Sequence, residues 1–259
     1  MPPLGLGLWG LPGRQAEEAV RRALALGYRL LDTGDHYGNE AAVGRAVRQS
    51  GIPREEVFLT TKAWHADGYD ATLRAFDASV RRLRLEPVDL YLIHWPRPDP
   101  RQTLEAWRAL ELLRKEGRAR AVGVSNFDTE HLRHLLAESG TPPSVNQVEL
   151  HPRYSRPDLR ALHAAHGIRT EAWGPLGRGR GLLKTPVLAR IGHKHGRSPA
   201  QVVLRWHLQT GTIAIPKSAR PERLAANLDV FGFALDQADL AAIAALDADE
   251  PVGPTRQPR

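Results

Sequence analysis

The stretch VDLYLIH at residues 88–94 is a short, largely apolar run that ends in a histidine. A run of this length and composition is typical of a β-strand that is buried on both faces, as the strands of a parallel sheet are. Similar runs recur along the chain, and amphipathic segments separate them. We therefore predict eight strands, at Gly5–Trp9, Arg29–Thr33, Val57–Lys62, Val88–His94, Ala121–Ser125, Val145–Glu149, Ile168–Trp173 and Thr212–Pro216.

The segments between these strands have the period of amphipathic helices, as in TLEAWRALELLRKEG at residues 103–117, and several end on glycine. Glycine is a common helix terminator because it adopts the left-handed backbone conformation without steric cost. Strands that alternate with helices predict a parallel sheet with the helices outside it. Because eight such units fit in 259 residues without a linker, we predict an α/β fold, a single-domain (β/α)8 TIM barrel over residues 1–259.

The chain contains no cysteine. This excludes disulfides, thiolate metal sites and a cysteine nucleophile, and it is compatible with a reducing cytoplasm. No apolar run reaches the length of a membrane span, and the start MPPLGLGLWGLPG lacks the basic region of a signal peptide. We therefore expect a cytoplasmic protein without a membrane partner.

The formal net charge of +7 raises the question of a nucleic-acid partner, since phosphate contacts use arginine and lysine. The basic residues are scattered along predicted helices and mixed with acidic ones, without a basic stripe or a zinc-finger spacing. Examples are Arg21, Arg22, Arg45, Arg48, Arg81, Arg82 and Arg84. The sequence therefore favours no nucleic-acid partner, whereas an anionic small ligand would suit the charge.

Polar side chains follow successive predicted strands at about the period of one strand–helix unit. They are Asp32, Lys62, His94 and Asn126, at separations of 30, 32 and 32 residues, and Gln147, Trp173 and Lys217 extend the series. In a parallel barrel the carboxyl ends of the strands meet at one face, so these side chains are expected to lie together. The series predicts a functional site.

Four residues of this region make a chemically coherent set: Asp32, Tyr37, Lys62 and His94. A phenol donates a proton poorly near neutral pH, but a nearby ammonium lowers its pKa, and a carboxylate keeps that ammonium charged and in place. A neutral imidazole can orient a substrate carbonyl. Taken singly, each residue also suits a structural role, as a turn aspartate, a packed tyrosine, a solvated lysine and a core histidine.

The motifs LDTGDHYGNE, TTKAW, DLYLIHWP, GVSNF, NQVELHP and IPKSARPERLAANL resemble the successive signatures of the aldo-keto reductases, in the same order and across residues 32–227. AWGPLGRG resembles the bacterial branch that includes 2,5-diketo-D-gluconate reductases. The resemblance implies NADPH-dependent reduction of an aldehyde or ketone. It also implies Tyr37 as the proton donor, Lys62 and Asp32 as its tuning pair, and His94 as the substrate-orienting residue.

The resemblance further implies the cofactor site, with NADPH preferred over NADH. Ser125, Asn126 and Gln147 fall where the family holds the nicotinamide carboxamide, and Trp173 falls where an aromatic ring stacks on the nicotinamide, followed by Gly174, Pro175 and Leu176. Lys217, Ser218 and Arg223 fall at the 2′-phosphate position. Two cations and a hydroxyl before a helix also suit a phosphate chemically. Asn227 matches an adenine contact, but Ala226 replaces the usual glutamate beside it.

Three tryptophans, Trp9, Trp64 and Trp95, lie beside the predicted barrel mouth and are expected to line a pocket for a small-molecule carbonyl substrate, with ordinary packing as the alternative. The amino-terminal hairpin is shortened relative to the family. The tail after Leu246 is also short, leaving few residues for a substrate-gating loop. The resemblance implies a monomer.

Other interpretations of the sequence are weaker. GLGLWG at residues 5–10 matches a dinucleotide-binding glycine pattern, but too few residues precede it to form the strand that the pattern requires. The pairs His131/His134, His163/His166 and His193/His195 lack a third ligand and favour solvated histidines over a metal site.

A Schiff-base lyase that uses Lys62 is disfavoured, because Asp32 would keep the lysine protonated. A non-catalytic NADPH sensor is disfavoured by the intact four-residue set.

Overall fold

The computed structural model describes residues 1–254, and residues 255–259, the end of the predicted domain, lie outside the described part. Eight parallel strands form one sheet in chain order. The strands are β1 (Leu6–Gly7), β2 (Leu30–Asp32), β3 (Phe58–Ala63), β4 (Val88–Ile93), β5 (Ala119–Ser125), β6 (Val145–Glu149), β7 (Arg169–Trp173) and β8 (Ile213–Ala214).

Helices connect the strands, as the alternating sequence pattern predicts. They are α1 (Gly13–Leu26), α2 (Glu40–Arg48), α3 (Tyr69–Leu83), α4 (Pro100–Lys115), α5 (Thr129–Ser139), α6 (Pro157–Ala165), α7 (Pro186–His195), α8 (Pro199–Gln209), α9 (Pro221–Leu228) and α10 (Gln237–Ala244). Short 3-10 turns occur at Asp35–Tyr37, Arg54–Glu56, Gly177–Gly179 and Leu182–Lys184. No helix within residues 1–254 is both long enough and apolar enough to span a membrane.

Backbone hydrogen bonds join the two ends of the sheet. Leu4 forms a parallel bridge with Ala214, and the amide of Gly5 donates to the Ala214 carbonyl at 2.9 Å. The amide of Gly7 donates to the Pro216 carbonyl at 3.2 Å. These bonds place the first strand beside the last, which is consistent with the predicted (β/α)8 barrel.

The first and last strands are shorter than predicted. The expected strand Gly5–Trp9 is reduced to β1, Leu6–Gly7, and the expected strand Thr212–Pro216 is reduced to β8, Ile213–Ala214. The residues that flank β1 and β8 still hydrogen-bond across the junction, but they do not continue a regular ladder. The apolar runs therefore predicted buried chain correctly except at the exposed Trp9, and they overestimated the regularity of the strands.

The strands alternate between two apolar layers. On β4, Leu90 and Leu92 pack with Val145 inside the sheet, whereas Tyr91 belongs to the larger cluster between the sheet and the helices. The Tyr91 ring meets Phe76 of α3 edge-on, with ring centroids 4.9 Å apart. This alternation directs every second strand residue into the interior, where the polar groups described below collect.

Five of the arginines that seem scattered in the sequence line one surface cavity of about 280 Å³, which is formed by α2 and the end of α3. They are Arg45, Arg48, Arg81, Arg82 and Arg84. Glu17 pairs with Arg45 at 2.9 Å, and the buried Glu40 pairs with Arg82 at 2.6 Å. Helix period and helix packing therefore bring together positions that are scattered in the sequence, and acidic residues pair with two of them.

Gly44 permits the close approach of α2 to the end of α3. A Cβ atom at this position would lie 1.9 Å from the carbonyl oxygen of Leu83. Without that atom the two helices come together, and the Arg48 guanidinium donates a hydrogen bond to the same carbonyl. The small residue is thus required by a backbone contact.

We predict that Gly44→Ala lowers the free energy of unfolding by about 3 kcal/mol, because the added methyl group forces α2 away from Leu83. Urea denaturation followed by circular dichroism measures this change. Gly13→Ala, at the first residue of α1, is the matched control, since a Cβ there meets no atom within 4 Å. Equal stability of the two variants would show that α2 can move away from Leu83 without lowering the free energy of unfolding.

Candidate active site

The ammonium group of Lys62 is the centre of the site. The side chain is 0% exposed, and its Nζ donates to Asp32 Oδ1 at 2.6 Å, to the Thr33 carbonyl at 2.8 Å and to Tyr37 Oη at 3.2 Å. An ammonium carries three hydrogens, and each of them has an acceptor here. Complete hydrogen bonding of this kind is what allows a charge to be buried.

The chain folds back after β2 to bring Tyr37 to this lysine. Tyr37 ends the 3-10 turn Asp35–Tyr37, and two side chains hold that turn in place. Asn39 Nδ2 donates to the carbonyls of Leu8 and Leu11, both at 2.9 Å. The Asp35 carboxylate accepts the backbone amide of Trp64 at 3.0 Å. The turn is therefore tied both to the amino-terminal segment and to the end of β3.

Burial raises the pKa of Tyr37 to about 12, and this effect exceeds the opposing influence of the Lys62 ammonium. Lys62 acts on the tyrosine pKa in the expected direction, but burial outweighs it, and spacing along the chain gives no measure of burial. Burial also lowers the pKa of Lys62, but Asp32 and Tyr37 raise it by more, so it lies above its ordinary value. A lysine held protonated in this way is not a Schiff-base nucleophile.

Tyr37 and His94 lie next to each other, with ring centroids 5.7 Å apart. Because Tyr37 Oη accepts the hydrogen bond from Lys62, the phenol hydrogen remains available for another acceptor. Burial, and after it the Lys62 ammonium, lowers the pKa of His94 well below its ordinary value. The imidazole is therefore neutral near neutral pH, so one ring nitrogen carries a hydrogen that it can donate.

The three tryptophans expected at the mouth have different surroundings. The Trp64 ring lies edge-on to His94 at 4.9 Å. Trp9 is 55% exposed, and the Arg178 guanidinium lies 4.6 Å from its ring centroid. Trp95 is buried, at 5% exposure, which agrees with the packing alternative. Trp64 therefore contacts the four-residue set through His94.

Asn126 joins the ends of four strands. It follows β5 in the left-handed backbone conformation, with φ of 63°. Its Nδ2 donates to the His94 carbonyl at 2.9 Å and to Ser125 Oγ at 3.1 Å, while its Oδ1 accepts Trp173 Nε1 at 2.8 Å. Its backbone amide donates to the Gln147 carbonyl at 2.9 Å, and Ser125 Oγ donates to the same oxygen. The structure thus brings these predicted residues together.

Gln147 connects two buried carboxyl groups. Its Nε2 donates to Asp32 Oδ2 at 2.7 Å and to Glu171 Oε2 at 3.0 Å. Glu171 is not among the site residues predicted from the sequence. The available signal was its place two residues before Trp173 on the same strand, since alternation puts both side chains on the same face. A carboxylate on the inner face of a buried strand requires a partner, and Gln147 is that partner.

The predicted phosphate-binding residues lie after β8 and on α9. Lys217 and Arg223 are exposed. Ser218 is buried, and its Oγ accepts the Arg220 amide at 3.1 Å. Asn227 is buried at 5% exposure. The segment therefore presents two cationic side chains to solvent beside the start of a helix.

The residues Gly174–Leu176, which the family resemblance assigns to the cofactor site, form a turn after β7. Gly174 has a positive φ of 61°, and the Pro175 carbonyl lies 3.2 Å from Nε2 of the buried His207. Burial lowers the pKa of His207 to about 3, so the ring is neutral and can donate to that carbonyl. The turn is thereby fixed to α8.

The short carboxyl-terminal segment reaches Trp173. The backbone amides of Val252 and Gly253 donate to the Glu149 carboxylate at 2.7 and 3.0 Å. A Cβ atom at Gly253 would lie 2.3 Å from the Trp173 ring, and the Arg178 guanidinium lies 5.8 Å from the centroid of that ring. Glu149 therefore anchors Val252 and Gly253 close enough to cover part of Trp173.

One of the histidines expected to be solvated is buried. His163 is 1% exposed and lies within 3.0 Å of Asn146 Nδ2 and 2.8 Å of Thr170 Oγ1. Burial lowers its pKa to about 4. His195 instead lies 2.7 Å from Asp239 near the surface. Throughout residues 1–254, no group of three or more His, Asp or Glu side chains is arranged to hold a metal ion.

Residues 3–248 match the family model described as the aldo/keto reductase family. An aldo-keto reductase from Mycolicibacterium smegmatis is 52% identical over 255 residues, which cover 98% of this chain and 92% of the relative. A glyoxal reductase from Bacillus subtilis is 48% identical over 256 residues, again covering 98% of this chain and 92% of the relative.

Solved structures show the same likeness. The crystal structure of a Gox0644 variant in complex with NADPH has a TM-score of 0.93 and 49% sequence identity to this chain, covering 98% of this chain and 93% of that one. The likeness in structure therefore extends over nearly the whole of both chains.

We predict that Asn126→Ala lowers the free energy of unfolding by about 2–4 kcal/mol. The change removes three side-chain hydrogen bonds and leaves the Trp173 indole without its acceptor. It also puts alanine in a left-handed conformation, which costs about 1 kcal/mol more. Urea denaturation measures the loss.

Asn126→Gly is the matched variant for this test, since glycine loses the same bonds but accepts the backbone conformation. It should be about 1 kcal/mol more stable than Asn126→Ala. If both variants unfold like the wild type, Asn126 does not hold the strand ends together. If they are equally destabilised, its backbone conformation contributes nothing.

Proposed function

The chain belongs to the aldo/keto reductase family, and we propose that it transfers a hydride reversibly between NADPH and an aldehyde or ketone, with Tyr37 as the proton donor. The observation that carries the proposal is the contact between Lys62 and Tyr37 Oη. The tyrosine oxygen receives a hydrogen bond from a buried cation, and its own hydrogen stays free for a substrate oxygen.

Bound NADPH would supply the hydride, which adds to the carbonyl carbon. Tyr37 protonates the carbonyl oxygen as it gains electrons, so that one hydride and one proton yield the alcohol. Lys62 then stabilises the phenolate that remains, and Asp32 balances the lysine charge at 2.6 Å. The high pKa of the buried tyrosine ensures that it is protonated before reduction begins.

His94 orients the carbonyl in this proposal. Its lowered pKa keeps the imidazole neutral, so it can donate a hydrogen bond without competing with Tyr37 as an acid. Trp64 supports the ring edge-on at 4.9 Å and contributes an apolar wall to the substrate pocket. Trp9 is proposed as a more exposed part of that wall.

The residues expected to hold NADPH are chemically suited to it. Asn126 and Gln147 bear amides near the nicotinamide position, and the Trp173 face lies 5.8 Å from the planar Arg178 guanidinium. The oxidised nicotinamide ring is also a flat cation, so it suits the same ring face. Lys217 and Arg223 supply positive charge for the 2′-phosphate, the group that distinguishes NADPH from NADH.

NADPH fluorescence titration of the purified protein, followed by absorbance loss with aldehydes, ketones and glyoxal, tests the proposal directly. Glyoxal belongs in the set because a relative that is 48% identical carries the name glyoxal reductase. Saturable binding with turnover is the expected result. Binding without turnover would favour a non-catalytic NADPH sensor, and an absence of binding would contradict the proposal altogether.

We predict that Tyr37→Phe lowers kcat for carbonyl reduction by at least about 100-fold, since it removes the proton that reaches the substrate oxygen. The NADPH dissociation constant should change little, because the aromatic ring remains. Tyr69→Phe, the same change at a 37% exposed tyrosine, is the control and should leave both quantities unaltered. A Tyr37→Phe enzyme with near-normal turnover would eliminate the proton-donor assignment.

We predict that Arg223→Ala weakens NADPH binding by about tenfold, as expected for the loss of one charge-assisted phosphate contact. NADH binding should change by less than about twofold, since NADH lacks that phosphate. Arg133→Ala, at an exposed arginine of α5, controls for net charge. Equal weakening of both cofactors by Arg223→Ala would place the 2′-phosphate site elsewhere.

A further inference from the structure

Two carboxyl groups share one amide nitrogen in the interior of the sheet. Gln147 Nε2 donates to Asp32 Oδ2 at 2.7 Å and to Glu171 Oε2 at 3.0 Å. Asp32 and Gln147 are 2% exposed, and Glu171 is 0% exposed. An amide nitrogen has two hydrogens, so these bonds use both of them. Neither carboxyl group can therefore gain a further bond from Gln147.

The Lys62 ammonium, which is the cation beside this pair, donates a hydrogen bond to Asp32 and not to Glu171. The three hydrogens of the Lys62 ammonium go to Asp32, Thr33 and Tyr37. Glu171 Oε1 is buried and has no hydrogen-bond partner within the described residues. An ionised Glu171 would thus be a second buried negative charge with one neutral donor. Such a charge is costly, and the group avoids it by keeping its proton.

The groups that face Glu171 act in both directions, but burial and the Asp32 carboxylate, which raise its pKa, outweigh the Gln147 hydrogen bond and the Lys62 charge, which lower it. Asp32 on β2 and Tyr37 after it are acidic, and Lys62 on β3 is the cation of the cluster. On the neighbouring strands, Gln147 of β6 is neutral, and Ile213 of β8 is apolar. Burial, then the nearby Asp32 carboxylate, raise the pKa of Glu171 to about 8. The proton therefore stays on Glu171 at neutral pH.

We propose that Glu171 is a positioning residue that holds a proton during carbonyl reduction, and that its ionisation in alkaline solution opposes the Tyr37 phenolate on which alcohol oxidation depends. The inference rests on the proposed function. In the oxidative direction the phenolate must accept the alcohol proton while the hydride leaves for NADP⁺. An ionised Glu171 makes a second negative charge nearby and so disfavours that phenolate.

The same proton makes the stability of the protein depend on pH. A carboxyl group whose pKa is higher in the folded than in the unfolded state contributes stability below its unfolded value, near 4.5, and loses it as the pH rises through its folded value, near 8. The wild type should therefore become less stable between these two values. Glu171→Gln has no proton to lose, and its amide oxygen can still accept from Gln147.

The first measurement is the thermal midpoint of the wild type and of Glu171→Gln from about pH 5 to about pH 9, without cofactor. The midpoint of the variant relative to the wild type should rise with pH up to about 8 and then level off. Glu138→Gln, at an exposed glutamate of α5, is the matched control and should run parallel to the wild type. Parallel curves for Glu171→Gln would overturn the inference whatever the enzyme activity is.

The second measurement is the pH profile of kcat for alcohol oxidation with NADP⁺. The alkaline rise in rate should occur about one pH unit lower in Glu171→Gln, because the phenolate then forms without the second negative charge. Identical profiles would overturn the positioning role. A wild type without turnover would overturn the proposed function, while the thermal measurement would still decide whether Glu171 holds a proton.

If Glu171→Gln does not fold, infrared spectroscopy of the wild-type protein tests whether Glu171 holds a proton. Protein labelled with carbon-13 at its glutamate carboxyl groups should show a protonated carboxyl band near neutral pH that disappears as the pH rises through about 8. Absence of that band at neutral pH would overturn the inference, since all exposed glutamates are ionised there.

Discussion

The three hydrogen bonds of the Lys62 ammonium group impose the geometry of the site. A charge taken out of water costs several kcal/mol unless its lost hydrogen bonds are replaced. At 0% exposure Lys62 has to find all three acceptors within the protein, and it finds them on Asp32, Thr33 and Tyr37. All three belong to the end of β2 and the turn after it. The position of this turn, and with it the direction of the tyrosine hydroxyl, thus follows from one buried cation.

A second set of polar contacts fixes the strand ends around that cation. Asn126 ties β4 to β7, and Gln147 ties β2 to β7 through two carboxyl groups. Each contact satisfies a buried polar group, and each also limits the movement of a residue proposed to act on substrate or cofactor. The interior of the sheet is therefore held together at this end by directional bonds, and apolar clusters such as Leu90 with Val145 fill the space behind them.

Much of this arrangement could be predicted from the sequence. Regular spacing of Asp32, Lys62 and His94 after apolar runs was enough to place them on one face, because parallel strands end together. The spacing gives no measure of burial, so it could not show that burial outweighs the effect of Lys62 on the Tyr37 pKa. Glu171 lies within β7 and not at its end, so the spacing of the strand ends does not include it, although alternation along the strand places it on the same face as Trp173. Contacts between helices, as at Gly44, depend on packing distances that no local pattern encodes.

The Asp32–Gln147 bond has a consequence for a chain cut in two. It joins residues 115 positions apart, one from β2 and one from β6. A break between α4 and β5 would give two fragments of four strands each, with Asp32 and Lys62 on one and Gln147 and Glu171 on the other. Neither fragment could complete the buried network by itself. Recombination in the native register would restore every partner at once, whereas a shifted register would leave the Asp32 carboxylate without its hydrogen bond from Gln147. The network therefore favours the native register when the two fragments associate.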